Sequence, residues 1–95
     1  MRDRTYFDTI QTEPQAYWLG FLLADGCLFR NGKQVAVLLG IRDRSHLGQL
    51  AALFDRPVRE HRGYDRRTGK TYEGVRLVLN SKHLWDALAT KGFAP

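Results

Sequence analysis

Cysteine occurs once in 95 residues, at Cys27, so no intrachain disulfide and no cysteine-rich zinc site can form. The histidines number 3, at positions 46, 61 and 83. None of them makes an HxxxH spacing, which removes the other common zinc arrangement. No run of about 18 apolar residues is present, so no membrane-spanning helix is expected. The opening Met1-Arg2-Asp3-Arg4 leads into no apolar signal segment, and an intracellular location, cytoplasmic or nucleoid-associated, is expected. P-loop, GxGxxG and Ser-His-Asp patterns are all missing, and no small-molecule substrate is expected. Proline is scarce, at 3 residues, and the chain has no linker, repeat or low-complexity tract. It therefore reads as one small domain over residues 1–95 with a thin core, because a chain this short hides only roughly 60% of its unfolded surface.

Acidic residues are also in deficit, with 10 Asp+Glu against 15 Lys+Arg and a net charge of +5. The imbalance is local. Residues 1–55 carry six bases and six acids, whereas residues 56–95 carry nine bases and four acids. Arg59, Arg62, Arg66, Arg67 and Lys70 crowd into one stretch of the second half. Clustered arginine in a basic chain points to a polyanionic partner, most simply nucleic acid.

Punctuation along the chain predicts an α+β domain of αββαββα order, with a four-stranded antiparallel sheet backed by helices. Thr12-Glu13-Pro14 reads as a helix start, with Thr12 as N-cap and Pro14 in the first turn. The first helix is expected over 14–25, stopped by Gly26 in a positive-φ conformation. Asn31-Gly32 predicts a two-residue type I′ turn joining a short strand over 27–30 to a longer one over 33–41. Asp43 is positioned to cap a second helix, in which Leu47, Leu50, Ala51 and Phe54 recur at helical spacing. Residues 58–64 and 72–79 read as a second hairpin closed by Thr68-Gly69. Asn80 or Ser81 caps a third helix that carries Leu84, Trp85 and Leu88 and ends at Gly92.

Strand alternation then assigns two faces. Leu28, Val35, Val37, Leu39, Ile41, Val75, Leu77 and Leu79 fall on the core face. Cys27, Phe29, Gln34, Ala36, Leu38, Gly40 and Arg42 fall on the other, with Arg59, His61, Tyr72, Gly74 and Arg76 of the second hairpin. A twisted sheet with a basic, helix-free face can lie in the major groove of DNA. His46 and His83 read as exposed residues in first helical turns, and Trp85 and Phe54 as core.

The first helix is the most informative segment. From Ala16 to Ala24 it has no charged residue, and a helix apolar all round has to be covered all round. One face can cover the sheet, but a domain of this size has nothing left for the other. Ala16, Gly20 and Ala24 recur at four-residue spacing, and a mid-helix glycine costs roughly 1 kcal/mol relative to alanine. Close packing of two helix backbones would offset that cost, and a two-fold homodimer needs only this one patch. Asp25 ends the helix, where the dipole disfavours a negative charge. Two such carboxylates meeting at a dimer axis would repel. A divalent cation would relieve both penalties, since carboxylates and helix-end carbonyls are hard oxygen ligands.

The segment Leu19-Gly20-Phe21-Leu22-Leu23-Ala24-Asp25-Gly26 resembles the signature helix of the LAGLIDADG homing endonucleases. The resemblance extends upstream to Tyr6, in the manner of the DOD-type subset of single-motif members. Downstream it runs through the strand ending at Ile41, through Asp43, and through Val75-Arg76-Leu77-Val78-Leu79-Asn80-Ser81-Lys82. It implies a homodimer that cuts both strands of a near-palindromic DNA site by metal-dependent phosphodiester hydrolysis. By position, it implies dimer contacts at Gly20 and Ala24, and with the stripe the expected interface comprises Ala16, Gly20, Leu23 and Ala24. It also implies an Mg²⁺ or Mn²⁺ ligand set including the Asp25 carboxylate and Ala24, with Asp25 catalytic in activating water; Asp43, at the end of the second strand with Arg42, is the candidate for a supporting catalytic group. Leu23 stands where the motif's first Asp often sits, and the basic residue that members often place after the last helix has no evident counterpart.

Residues expected to face double-stranded DNA are Phe29, Arg30, Lys33 and Gln34 around the first hairpin, and Arg42 at the end of its second strand. From the second hairpin come Arg59, His61, Arg66, Arg67, Lys70, Tyr72 and Arg76. Phe29 and Tyr72 could equally be packing aromatics of the sheet. Two other classes of function fit the same residues. One is a non-cleaving sequence-specific DNA-binding protein, or an RNA-splicing maturase-like cofactor, on the same scaffold. The other is a protein–protein module whose basic hairpin is incidental.

Overall fold

The computed structural model describes residues 2–93. Thr12 starts the first helix through a reciprocal capping box. The Gln15 N–H donates to Thr12 Oγ1 at 3.2 Å, and the Thr12 N–H donates to Gln15 Oε1 at 3.0 Å, satisfying donors that the helix itself cannot. Helix α1 then runs Glu13–Asp25. It does not end on a left-handed glycine. Gly26 is extended, with φ −87° and ψ 163°, and its N–H donates to Leu22 O. The chain passes straight into strand β1, Gly26–Leu28. Glycine is required there for space, because a Cβ would lie 2.6 Å from Leu22 O.

Strand β2, Gln34–Gly40, pairs with β1 in the expected register, with Leu28 opposite Val35. The connection is not a type I′ turn, which needs positive φ at both central residues. Only Gly32 is left-handed, at +74°. The Gly32 N–H donates to Phe29 O, and Asn31 Oδ1 accepts from the Lys33 and Gln34 N–H groups. The asparagine thus closes the loop with its side chain rather than with its own backbone conformation.

After Gly40 the chain makes one 3₁₀ turn over Ile41–Asp43. This removes Ile41 and Arg42 from the strand, so Ile41, expected in the core, is 36% exposed. Helix α2 follows at Arg44–Leu53, with Asp43 at its N-cap position but making no side-chain cap hydrogen bond. Strand β3, Arg59–Asp65, and strand β4, Lys70–Asn80, form the second hairpin. Ser81 then caps helix α3, Lys82–Ala89, by accepting from the Leu84 N–H.

The three helices and four strands form an α+β fold whose antiparallel sheet has the order β1-β2-β4-β3. The buried residues of the helices, Trp18, Leu22, Leu47, Leu50, Ala51, Leu84 and Leu88, join Phe54 in one cluster. They pack on Leu28, Val35, Val37, Val75, Leu77 and Leu79, which alternate along the strands and so share one sheet face. Each fully buried leucine contributes roughly 1.5–3 kcal/mol through removal from water.

The segment ahead of α1 also belongs to the core. Phe7 is fully buried, with Tyr6 edge-on at 4.9 Å and Phe54 at 6.3 Å between ring centroids. Burial, with Asp3 nearby, pushes the Tyr6 phenol up from its ordinary value. Asp8 pairs with His83 Nε2 at 2.8 Å and ties this segment to α3. Among the described residues no helix is long and apolar enough to cross a membrane.

The outer part of the β3–β4 hairpin extends beyond the layer of helices. Arg62, Tyr64, Thr71 and Glu73, on the side that the helices cover elsewhere in the sheet, are exposed.

Candidate functional site

Two of the uncovered surfaces contain residues singled out from the sequence. The first is the outer side of α1. Trp18 and Leu22 face the core, with Leu19 and Phe21 partly buried beside them. Ala16, Gly20, Leu23, Ala24 and Asp25 are all exposed, and Leu23 is 53% exposed. A Cβ added to Gly20 would meet nothing within 4 Å. Nothing in the domain's own packing therefore calls for glycine at that position.

Tyr17 borders this stripe, and its hydroxyl lies 2.8 Å from His46 Nε2. His46 is half-buried rather than exposed. Its ring sits 5.0 Å from that of Trp18 and 5.3 Å from that of Phe21. The first turn of α2 is thus docked against α1, a tertiary contact that helical position alone does not signal.

Asp25 precedes a strand whose first residue, Gly26, pairs with Val37, and Asp43 follows the end of β2 at Gly40. Both acids therefore lie toward the same end of the sheet. Both are exposed. Among the described residues no group of three or more His, Cys, Asp and Glu comes together.

The second surface is the sheet face opposite the helices. Cross-strand register places Gln34 beside Asn80, Ala36 beside Val78, and Leu38 beside Arg76 on β2 and β4. On β3 and β4 it places Arg59 beside Arg76, His61 beside Gly74, and Gly63 beside Tyr72. Phe29, Gln34, Ala36, Leu38, Arg59 and Arg76 line one shallow depression on this face, so half of the expected open-face residues come together there. Leu38, one of its lining residues, is exposed.

The charges are sorted between faces. Glu60 and Glu73 alternate onto the other side, where Glu60 pairs with Arg44 at 3.0 Å and Glu73 with Arg62 at 3.2 Å. Among the described residues Arg59 and Arg76 form no ion pair.

Other expected contacts lie elsewhere. Arg42 leaves the sheet with the 3₁₀ turn and borders a separate groove beside α2 with Arg44 and Ser45. Arg30 and Lys33 occupy the β1–β2 loop, and Arg66 and Arg67 the β3–β4 loop. Lys70 opens β4 opposite Asp65. The Gln34 amide is held at both ends, donating to Asn80 Oδ1 at 2.9 Å and accepting from Asn31 Nδ2 at 3.0 Å. Phe29 also has a structural role, because its carbonyl accepts from Trp85 Nε1–H at 2.8 Å.

Sequence reasoning missed Arg56, which with Pro57 borders the depression from the link between α2 and β3. No periodicity marks a residue in such a link. Comparison with family models, curated proteins and solved structures found no match for this chain.

Proposed function

We propose that this chain forms a homodimeric, divalent-metal-dependent, site-specific endonuclease of double-stranded DNA, of the LAGLIDADG type that its first helix resembles. The observation that carries this reading is the exposed stripe of Ala16, Gly20, Leu23 and Ala24 ending at Asp25. It is an apolar, small-residue surface on a helix whose other side is buried, the kind of single patch that a two-fold axis can set against itself. Pairing two copies through it would cover the stripe and draw two Asp25 carboxylates together.

The donor set suits a hard cation. One copy offers the Asp25 carboxylate and the Ala24 carbonyl, in the last helical turn where carbonyls lack intrahelical partners. Oxygen donors of this kind suit Mg²⁺ or Mn²⁺. Such a cation supplies polarisation of a phosphate and an acidified water. The protein's part is to hold it with Asp25 and to keep the duplex in register. Arg59 and Arg76 take phosphate oxygens along the open face. Asp43, whose carboxylate caps no helix N–H, accepts a proton from water near the cleavage point.

Plasmid nicking in Mg²⁺ or Mn²⁺, together with light scattering, tests the reading. The wild type is expected to have a two-copy mass and to cut. Asp25→Asn is expected to bind duplex as before and not to cut. A single-copy mass both alone and with duplex added would overturn the proposal. Duplex binding without cleavage in either metal would assign the scaffold to a non-cleaving DNA-binding protein.

A further inference from the structure

The open face carries a feature that phosphate contacts alone do not require. On the outer hairpin, two successive cross-strand pairs set an aromatic ring against a glycine, His61 opposite Gly74 and Tyr72 opposite Gly63. The rings occupy the space those glycines leave. A Cβ on Gly74 would lie 2.7 Å from His61 Nε2, and a Cβ on Gly63 would fall among the ring atoms of Tyr72. The Tyr72 ring therefore leans across the neighbouring strand. It is braced there by His61, which meets it edge to face at 5.9 Å and 78°. It is held, yet 51% of the residue stays exposed.

We infer that Tyr72, braced by His61 over Gly63, is a stacking platform for an unpaired nucleobase of a single-stranded nucleic acid. A base inside a duplex offers only its edges to a protein in either groove. An unpaired base offers a π face, and an aromatic side chain accepts any base in that way. The surroundings suit the strand's backbone. Lys70 lies two residues along β4 on one side, and the Arg59–Arg76 pair lies four residues along on the other. The single acid on this strip among the described residues, Asp65, accepts from the Arg67 N–H at 2.9 Å. Glu60 and Glu73 are turned to the opposite face. Phosphates on either side of the stacked base thus meet cations. The inference uses nothing of the α1 stripe and stands independently of the nuclease reading.

Fluorescence anisotropy at fixed ionic strength tests it with a 15-nucleotide oligothymidylate and an abasic oligodeoxynucleotide of equal length, which has the same phosphates and no bases. The wild type is expected to bind oligothymidylate about five- to a hundredfold more tightly than the abasic strand. Tyr72→Ala is expected to abolish that preference. Tyr72→Trp is expected to keep it, with the new indole's fluorescence quenched on binding. Oligouridylate run beside oligothymidylate distinguishes an RNA source from a DNA source of the base. Equal affinity of the wild type for abasic and base-bearing strands would overturn the inference, and this comparison decides it even if Tyr72→Ala fails to fold. A preference that survives in a folded Tyr72→Ala protein would overturn it equally.

Discussion

Arg59 and Arg76 stand directly opposite each other on adjacent strands of the exposed sheet face. Like charges so placed repel, by roughly 0.2–1 kcal/mol, so the free protein tolerates a strain that a bound polyanion would relieve. Arg76→Gln is expected to raise thermal stability slightly while weakening duplex binding. The slope of log affinity against log salt is expected to flatten by about one unit. Melting curves and a salt titration of binding check both signs, and a stability loss in the free protein would show that the pair is not strained.

Gly20 gives a second pair of opposed signs. A methyl group there meets no neighbour in the single chain, and alanine is the better helix former by roughly 1 kcal/mol. Gly20→Ala is expected to stabilise the fold and to weaken self-association, because the added Cβ holds two helix axes apart. Urea melts at low protein concentration and sedimentation equilibrium separate the effects. Unchanged association would remove the reason for a glycine in the stripe.

Gly74 lies on the inner strand of the second hairpin, where a Cβ would come within 2.9 Å of Leu39 O on one side and 2.7 Å of His61 Nε2 on the other. The imidazole can swing away, but the carbonyl cannot without moving β2. Gly74→Ala is expected to cost roughly 1–3 kcal/mol, as overpacking does. Gly48, with nothing within 4 Å, supplies the control: Gly48→Ala in α2 is expected to be neutral or stabilising. Chemical denaturation of the two variants checks the contrast.

Tyr6 is expected to ionise above the ordinary 10.0 of a phenol, because burial and then Asp3 raise it. Its folded-state value lies above its unfolded one. Its contribution to stability is therefore complete below about pH 10 and is lost as pH rises through the folded value. Absorbance titration of the phenolates in the wild type and in Tyr6→Phe checks this, the late step being absent from the variant.

Element order, the register of the first hairpin and the inner face of the sheet were legible in the sequence, because Val and Leu alternate at 35, 37, 75, 77 and 79. The α1 stripe was legible for a similar reason, since an uncharged helix in a small domain outruns the surface available to bury it. Helix and turn endings were less legible. Gly26 reads as a left-handed stop but serves as the only residue that fits against Leu22 O. Asn31-Gly32 reads as a mirror-image turn, yet the asparagine side chain takes over the hydrogen bonding. Ile41 and Arg42 read as a continuation of the second strand, but the 3₁₀ turn follows directly on Gly40. Phe7 and His46 were missed as packing residues because each depends on a long-range contact, with Phe54 and with Trp18, that no local period encodes.

The outer stretch of the second hairpin has strand hydrogen bonds but no layer of side chains beneath it. Its amide protons are therefore expected to exchange with solvent through local opening, well before those of β2 and the inner part of β4. Such a two-stranded finger holds its shape only marginally by itself. A nucleic acid lying along it would be expected to slow that exchange, the finger stiffening on contact.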